Sequence, residues 1–305
     1  MFILKQRTHI KGYIDLIRPF TLLAPIFVSS CIMIASFFQN RISEDLFSLL
    51  LTTIIPASFS LAILNAASNA LNQATDVEVD KISKPYRPIV RGDISLKEAK
   101  TISVILYIIA LLLSISINFT FTIIVFIIAL FTVSYSLPPR LKNKLFLNQI
   151  WIAIPRGLFG ILASWSVFGN PLEKLPITIG FIVMTFLIGG SITKDIVDSD
   201  ADKKTGSNTL INTYGIKKAA LIALPFMVLP FAYIPILINC GLLSSNLWIL
   251  SLFIIPSFLV FYLMLKDNKT SRILENTPSW TLMYLTYLLF AFDFSLLAIF
   301  GSLVA

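Results

Sequence analysis

Long apolar segments alternate with short polar ones along the whole chain. A transmembrane helix needs about 17 to 25 mainly apolar residues. Nine segments meet that requirement: residues 20–38, 46–74, 101–117, 120–136, 146–168, 175–193, 219–239, 246–265 and 280–303. The pattern predicts an all-α, polytopic membrane protein with nine transmembrane helices, forming one integral-membrane domain over residues 1–305.

The composition agrees with a membrane protein. Of the 305 residues, 56% are hydrophobic and 13% are charged, whereas soluble domains carry about 25% charged residues. A cytosolic globular protein is therefore excluded.

The basic residues lie almost entirely on one side of the predicted membrane. Of the 24 Lys and Arg residues, 21 fall in the N-terminal arm and in alternate loops, against two in the other loops. This positive-inside asymmetry predicts that the N-terminus and the loops at 75–100 and 194–218 are cytoplasmic and that the C-terminus is outside. Residues 1–19 are expected to lie on the inner face of the lipid bilayer as an amphipathic arm. The net charge of +8 thus reflects topology, and no nucleic acid or protein partner is predicted.

Two polar clusters stand where predicted helices leave the membrane. The first has members four residues apart and consists of Asn72, Asp76 and Asp80. The second is spaced by three and then four residues and consists of Asp195, Asp198 and Asp202. On a helix each spacing places the three side chains on one face.

The clusters recur at a constant distance along the chain. An offset of 122 residues separates Asp76 from Asp198 and also Asp80 from Asp202. The simplest explanation is an internal duplication, with two four-helix halves followed by one extra helix. In membrane proteins built from such repeats, binding sites lie at the repeat interface.

Carboxylates crowded in this way become protonated unless a cation neutralises them. Oxygen ligands without nearby Cys or His suit Mg²⁺, and the only histidine is His9. Because Mg²⁺ is usually held by one or two carboxylates plus phosphate oxygens, the clusters predict two or more Mg²⁺ ions around a diphosphate. The alternative, solvated acids in exposed loops, leaves the repeated spacing unexplained.

Basic residues beside the clusters are candidates for binding phosphate oxygens, which guanidinium and ammonium groups both do. These residues are Lys84, Arg87, Arg91 and Lys194. Each could instead serve membrane topology or contact inner-leaflet lipid.

Three longer strings carry a resemblance to a known family. They are LNQATDVEVDKISKPYRPIVRGDIS at 71–95, YSLPPRLK at 135–142 and TKDIVDSDADKKTGSNTL at 193–210. With the two aspartate-rich motifs, they resemble the UbiA-type intramembrane prenyltransferases. They are most similar to the branch containing homogentisate prenyltransferases and chlorophyll synthases, and also to the archaeal digeranylgeranylglyceryl phosphate synthases.

The resemblance implies Mg²⁺-dependent transfer of a prenyl group from a prenyl diphosphate to a lipophilic acceptor, in lipid or quinone biosynthesis. Diphosphate would depart and leave an allyl cation. The implied acceptor is an aromatic or quinol precursor, with geranylgeranylglyceryl phosphate as the alternative. Two other classes are more distant: a CDP-alcohol phosphotransferase, whose D-G-x-x-A-R signature is absent, and an ion or organic-ion carrier, which predicts carboxylates deep within the spans.

The resemblance also implies individual roles. The implied metal ligands are Asn72, Asp76, Asp80, Asp198 and Asp202. Asp195 would join these aspartates as a catalytic residue, either as an additional ligand or as a base on the acceptor side. The implied diphosphate contacts are Lys84, Arg87, Arg91, Tyr135, Lys142 and Lys194. Tyr135 could instead be an interfacial anchor and Lys142 a positive-inside residue.

Two charges fall inside predicted spans. Arg156 interrupts the fifth span at a cost of roughly 2.5 to 3.5 kcal/mol, so we expect it to face a central cavity and either pair with an anion or carbonyl groups, or recognise the acceptor. Asp293, in the last span, is expected to be neutral or hydrogen-bonded to a neighbouring helix. Gly189 and Gly190 suit close helix contact or a bend.

Overall fold

The computed structural model describes residues 2–267 and 276–301. The α-helices of this part of the chain are α1 (Phe2–Ile17), α2 (Leu23–Gln39), α3 (Leu46–Leu49), α4 (Ile55–Thr75), α5 (Val77–Ser83), α6 (Pro88–Arg91), α7 (Leu96–Ile115), α8 (Phe119–Ser136), α9 (Leu147–Ala153), α10 (Gly160–Trp165), α11 (Lys174–Gly190), α12 (Asp195–Thr205), α13 (Leu210–Ala232), α14 (Ile234–Asn239), α15 (Ile254–Lys266) and α16 (Pro278–Phe300). The all-α prediction is confirmed for these residues. Predictions for residues 1, 268–275 and 302–305, including the end of segment 280–303 and the C-terminus, lie outside the described residues.

Eight helical segments of the described chain are long and apolar enough to cross a membrane. They are His9–Gln39, Leu46–Thr75, Leu96–Ile115, Phe119–Ser136, Lys174–Thr205, Leu210–Asn239, Ser245–Lys266 and Pro278–Phe300. Each corresponds to one of the predicted segments, so the membrane-spanning architecture is confirmed.

The fifth predicted segment, 146–168, is helical but is not one of those eight. It is made of α9, a π-helical turn at Ile154–Phe159, and α10. The turn contains Pro155, which has no N–H to donate to the helix, and the polar residues Asn148, Gln149 and Arg156 lower the hydropathy of the segment. The count of nine spans therefore stays a prediction.

Polar residues begin two membrane helices earlier than the apolar pattern predicts. Ser95 and Glu98 form a capping box, so α7 starts at Leu96 rather than at residue 101. Thr209 caps α13 by accepting a hydrogen bond from the backbone N of Asn212. Capping satisfies the first backbone N–H groups of a helix, which have no partner within it. Both motif loops are consequently short and largely helical.

Buried apolar side chains form two large clusters. One joins α2 with α11, α13, α15 and α16. The other joins α4, α7, α8 and α10. Each cluster mixes helices from both predicted halves, since α2 belongs to the first cluster and α10 to the second, so the predicted duplication stays a prediction.

Glycines allow the helices to approach closely around α11. A Cβ added at Gly189 would lie 2.5 Å from the Ala223 carbonyl oxygen of α13, and one added at Gly190 would lie 2.6 Å from Met283 Cγ of α16. The predicted helix contacts at these two glycines are confirmed. Such contacts draw α11, and with it α12, towards the centre of the bundle.

Gly157 provides a test of this packing. A Cβ added there would lie 2.5 Å from the Met184 backbone N, and backbone cannot move aside as a flexible side chain can. Overpacking costs about 1 to 3 kcal/mol or more, so we expect Gly157→Ala to lower the melting temperature of the protein in detergent. The matched control is Gly160→Ala, whose added Cβ has its nearest neighbour at 3.4 Å. Equal melting of the two variants would contradict the close contact.

Candidate active site

One cavity of about 300 Å³ brings nearly all the predicted site residues together. It is lined by Asn72, Asp76, Asp80, Lys84, Arg87, Tyr135, Lys142, Arg156, Lys194, Asp195, Asp198 and Asp202. The two polar clusters, which are far apart in sequence, therefore border the same space.

An ion pair joins the two clusters directly. Helix α5, which follows the first cluster, packs against α12, which carries the second. Lys84 lies at the end of α5, and its Nζ is 2.5 Å from Asp198 Oδ1. A cation that follows the first cluster thus neutralises an acid of the second.

A second ion pair lies within the first motif. Arg87 Nη1 is 2.8 Å from Asp80 Oδ2, and the side chains are only 6% and 4% exposed. Burial raises the pKa of Asp80 above its ordinary value, while Arg87 and Lys84 act in the opposite direction. Breaking a buried pair of this kind leaves an uncompensated charge, which is strongly destabilising.

The loop after α8 covers the first cluster. Lys142 Nζ lies 2.5 Å from Asp76 Oδ1, and Arg140 Nη2 lies 3.1 Å from the same oxygen. Burial lowers the pKa of Lys142, and Asp76 partly offsets that effect. These contacts favour the site role of Lys142 over that of a plain positive-inside residue. They also add Arg140, which we did not predict.

Asp195 is the most fully hydrogen-bonded acid of the cavity. Its carboxylate accepts hydrogen bonds from Gln149 Nε2 at 2.9 Å, Asn148 Nδ2 at 3.2 Å and Lys194 Nζ at 2.5 Å. Tyr135 in turn is hydrogen-bonded to Lys194. Because the carboxylate already has three donors, this geometry favours a counter-ion that holds Lys194 and Tyr135 in place over a metal ligand or base. The contact also favours a site role for Tyr135 over an interfacial anchor.

Two oxygen-bearing side chains of the cavity wall have no partner. In the described chain neither Asn72 nor Asp202 makes a side-chain hydrogen bond or ion pair, although Asp202 lies in the field of Asp195 and Asp198. Uncompensated oxygen ligands beside other carboxylates suit a hard divalent cation such as Mg²⁺. No group of three His, Cys, Asp or Glu residues within residues 2–267 and 276–301 forms a ready metal cage.

Arg91 lies away from the cavity, so its predicted contact with diphosphate stays a prediction. It is not among the residues lining the cavity. Its guanidinium instead lies 2.7 Å from Asp15 Oδ2 and 2.6 Å from Asp93 Oδ2. The single turn of α6 directs this side chain towards α1, whereas Arg87, at the start of the same turn, faces the cavity.

Arg156 lines the cavity, as predicted from its position in an apolar span. Its Nη2 is 3.4 Å from Asn65 Oδ1, and the Tyr287 hydroxyl donates to its backbone oxygen at 3.2 Å. Among the described residues no carboxylate forms an ion pair with it, so its predicted anion or acceptor partner stays a prediction. Asp293 makes no hydrogen bond to another described residue, so of its two predicted states the neutral one stays a prediction.

Several cavity residues escaped prediction. Those that line the cavity are Asn148, Trp151, Trp280, Tyr284 and Tyr287. Two more, Arg140 and Gln149, do not line it but contact its acids Asp76 and Asp195. Two adjacent amides inside an apolar segment were a usable signal, because burying unpaired amides is costly. The aromatic residues offered none, because the chain has 25 Phe, 9 Tyr and 4 Trp.

The chain belongs to the UbiA prenyltransferase family, whose model matches residues 22–282. It is therefore an integral-membrane prenyltransferase. The digeranylgeranylglyceryl phosphate synthase of Methanosphaera stadtmanae is 30% identical over 194 residues, covering 63% of this chain and 68% of that relative.

Solved structures have the same fold. A structure of digeranylgeranylglyceryl phosphate synthase in membranes matches with a TM-score of 0.62 and 26% identity, covering 93% of this chain and 99% of the other. A UbiA homolog from Archaeoglobus fulgidus, solved with DMAPP and Mg²⁺, matches with a TM-score of 0.69 and 20% identity, covering 94% and 99%.

The role of the cavity acids can be tested with two aspartates of the same helix, α12. We expect Asp198→Asn to reduce prenyl transfer by about 100-fold or more, because the variant loses the negative charge that pairs with Lys84 in the cavity, and preorganised charges are a large part of catalysis. Asp200→Asn is the matched control, since Asp200 is exposed on the same helix and does not line the cavity. Turnover with a prenyl diphosphate and Mg²⁺ is measured on folded protein. Full activity of Asp198→Asn would contradict the assignment.

Proposed function

We propose that this protein transfers a prenyl group from a prenyl diphosphate to geranylgeranylglyceryl phosphate. Two or more Mg²⁺ ions would join the diphosphate to the two clusters. The observation that carries the proposal is that both clusters line one cavity and that Lys84, following the first, pairs with Asp198 of the second. The proposed orientation, supported by the loop charges, has the N-terminus and this end of the cavity cytoplasmic and the C-terminus outside.

The donor set fits Mg²⁺ and diphosphate together. The proposed metal ligands supply amide and carboxylate oxygens and are Asn72, Asp76, Asp80, Asp198 and Asp202. Bound Mg²⁺ would neutralise the diphosphate and make it a better leaving group.

On binding, the cations that now neutralise the acids would turn to phosphate oxygens. Lys84, Arg87 and Lys142 are placed for this exchange, since each already touches an acid of the proposed ligand set. Lys194 is held beside them by Asp195. These fixed cations would stabilise the charge that develops as the allylic C–O bond breaks.

The carbon end of the reaction needs a different environment. An allyl cation must be kept from water, which a cavity inside a membrane bundle achieves. Trp280 and Tyr284 line the cavity with stacked rings whose centroids are 4.9 Å apart, and Trp151 and Tyr287 line it as well. Aromatic faces stabilise a cation by roughly 0.5 to 2 kcal/mol each.

The choice of acceptor rests on the relatives and on Arg156. Relatives named digeranylgeranylglyceryl phosphate synthase favour geranylgeranylglyceryl phosphate over the aromatic or quinol precursor that the motif strings favoured. Arg156 faces the cavity with no protein carboxylate among the described residues. A guanidinium without an anion partner suits the phosphate of an acceptor.

An acceptor panel tests the proposed function. Purified protein is given geranylgeranyl diphosphate and, in parallel, geranylgeranylglyceryl phosphate, homogentisate or 4-hydroxybenzoate, each with Mg²⁺ and with excess chelator. We expect a prenylated product with geranylgeranylglyceryl phosphate and its loss with chelator. Product with an aromatic acceptor alone would contradict the proposed acceptor, and full turnover in chelator would contradict the metal.

Arg156 can be tested in the same assay. Removing a charged hydrogen-bond partner costs about 1.5 to 3 kcal/mol, or roughly a tenfold to hundredfold change in affinity. We therefore expect Arg156→Met to raise the acceptor KM by that factor. The donor KM serves as the internal control and should not change. A rise in donor KM alone would assign Arg156 to the diphosphate instead.

A further inference from the structure

Helix α1 is fixed to the same helix that carries Asn72. Two amides of α4, spaced by four residues, donate to the last carbonyls of α1: Gln73 Nε2 to the Leu16 oxygen at 2.7 Å, and Asn69 Nδ2 to the Ile17 oxygen at 2.9 Å. Terminal carbonyls of a helix have no partner within it, so these amides hold the end of α1 at a defined position.

Helix α1 also touches the chain that follows α6. A Cβ added at Gly12 would lie 3.1 Å from Asp93 Cβ and 3.1 Å from Ile94 Cγ1. The absence of a side chain at Gly12 therefore allows α1 to lie directly against residues 93–94.

Three charged residues add ion pairs to the contact between α1 and the chain around α6. Arg91 Nη2 lies 2.7 Å from Asp15 Oδ2 of α1, and Arg91 Nε donates to Asp93 Oδ2 at 2.8 Å. We refer to Asp15, Arg91 and Asp93 as the strap. It fastens α6 to α1, which is itself fastened to α4.

Two backbone hydrogen bonds connect the strap to the cations of the site. The backbone N–H of Arg91 donates to the Arg87 carbonyl at 2.9 Å, so one helical turn joins the two residues. Arg87 N in turn donates to the Lys84 carbonyl at 3.0 Å. A displacement of Arg91 would therefore be transmitted to both cations that face the acids.

We infer that Arg91 and Asp15 are positioning residues for the donor: through the strap they hold Lys84 and Arg87 where these can exchange a carboxylate for a diphosphate oxygen. The inference rests on the proposed function, which assigns those two cations to diphosphate.

The exposure of Arg91 and Asp15 distinguishes a positioning role from a purely structural one. The Arg91 and Asp15 side chains are 31% and 32% exposed. Partly exposed ion pairs contribute about 0 to 1 kcal/mol to stability. Loss of the strap should therefore change donor binding much more than it changes the melting temperature.

The test is a double-mutant cycle in the full-length protein. With geranylgeranyl diphosphate as the varied substrate, we expect Arg91→Ala and Asp15→Ala each to raise the donor KM by roughly five- to twenty-fold, with acceptor KM unchanged. The double variant should be no worse than the poorer single variant. Arg91→Lys should recover part of the affinity, and melting should stay within about 4 °C of wild type.

A matched control lies in the same motif. Lys81→Ala breaks the exposed pair that Lys81 forms with Glu78 at 2.7 Å, which does not involve α1, and should leave the donor KM unchanged. A raised donor KM in Arg91→Ala but not in Asp15→Ala would overturn the inference, because Arg91 would then act on diphosphate directly. An unchanged donor KM in both variants would overturn it as well.

Hydrogen exchange separates failure of the inference from failure of the proposed function. Absence of donor turnover in the wild type would contradict the proposed function. The rate of amide hydrogen exchange at residues 84–92 can be measured without substrate. We expect this rate to be higher in Asp15→Ala than in wild type. Equal exchange rates would overturn the strap whatever the substrate is.

Discussion

The pairing of Lys84 with Asp198 is the contact on which the site depends. An ionised side chain taken out of water costs several kcal/mol unless an opposite charge compensates it. Here the compensation comes from the other half of the molecule, at 2.5 Å. Asp80 and Asp76 are compensated in the same way by Arg87 and by Lys142. The acids can converge around one cavity because cations are interleaved with them.

The same interleaving keeps the charges exchangeable. A site built only of acids would exclude diphosphate, and a site built only of cations would bind diphosphate but not the metal. With both present, a Mg²⁺–diphosphate complex can replace each internal pair by two new ones, acid to metal and cation to phosphate, without leaving a buried charge alone. Under the proposed function, the internal ion pairs are the arrangement of these groups before the substrate binds.

Much of this arrangement could be predicted from sequence, because some features are local. Hydrophobic length alone located the membrane helices, and the spacing of three and four placed the second cluster on one helix, α12. The first cluster is instead divided between α4 and α5, because Asp76 lies between them with non-helical φ and ψ. Features that depend on tertiary contacts could not be read this way. Arg91, on the single turn of α6, and Arg140, in the loop after α8, both lie near a motif, yet only Arg140 reaches an acid of the cavity, at Asp76. The difference is the direction of the single turn of α6 and the position of α1.

The fifth predicted segment also contains features that depend on tertiary contacts. Asn148 and Gln149 lower its hydropathy, and their purpose is visible only when α12 brings Asp195 to meet them. Arg156, on the π-helical turn of that segment, differs from these amides because it has no anionic partner among the described residues. Where other protein groups satisfy a polar group inside the bundle, the contact helps to hold the site together.

The groups that protein atoms leave unsatisfied indicate where substrates belong. Asn72 and Asp202 lie at the metal end, whereas Arg156 lies beside Asn65. Asn65 precedes Asn72 on α4 by seven residues, and at 1.5 Å per residue this places the guanidinium end about 10 Å deeper in the membrane. Diphosphate would occupy the metal end and an anionic headgroup the deeper one, with the aromatic side chains available to the reacting carbon. An uncharged quinol would leave Arg156 without an anion in a low-dielectric environment, which is a physical reason, independent of the relatives, to favour a phosphate-bearing acceptor.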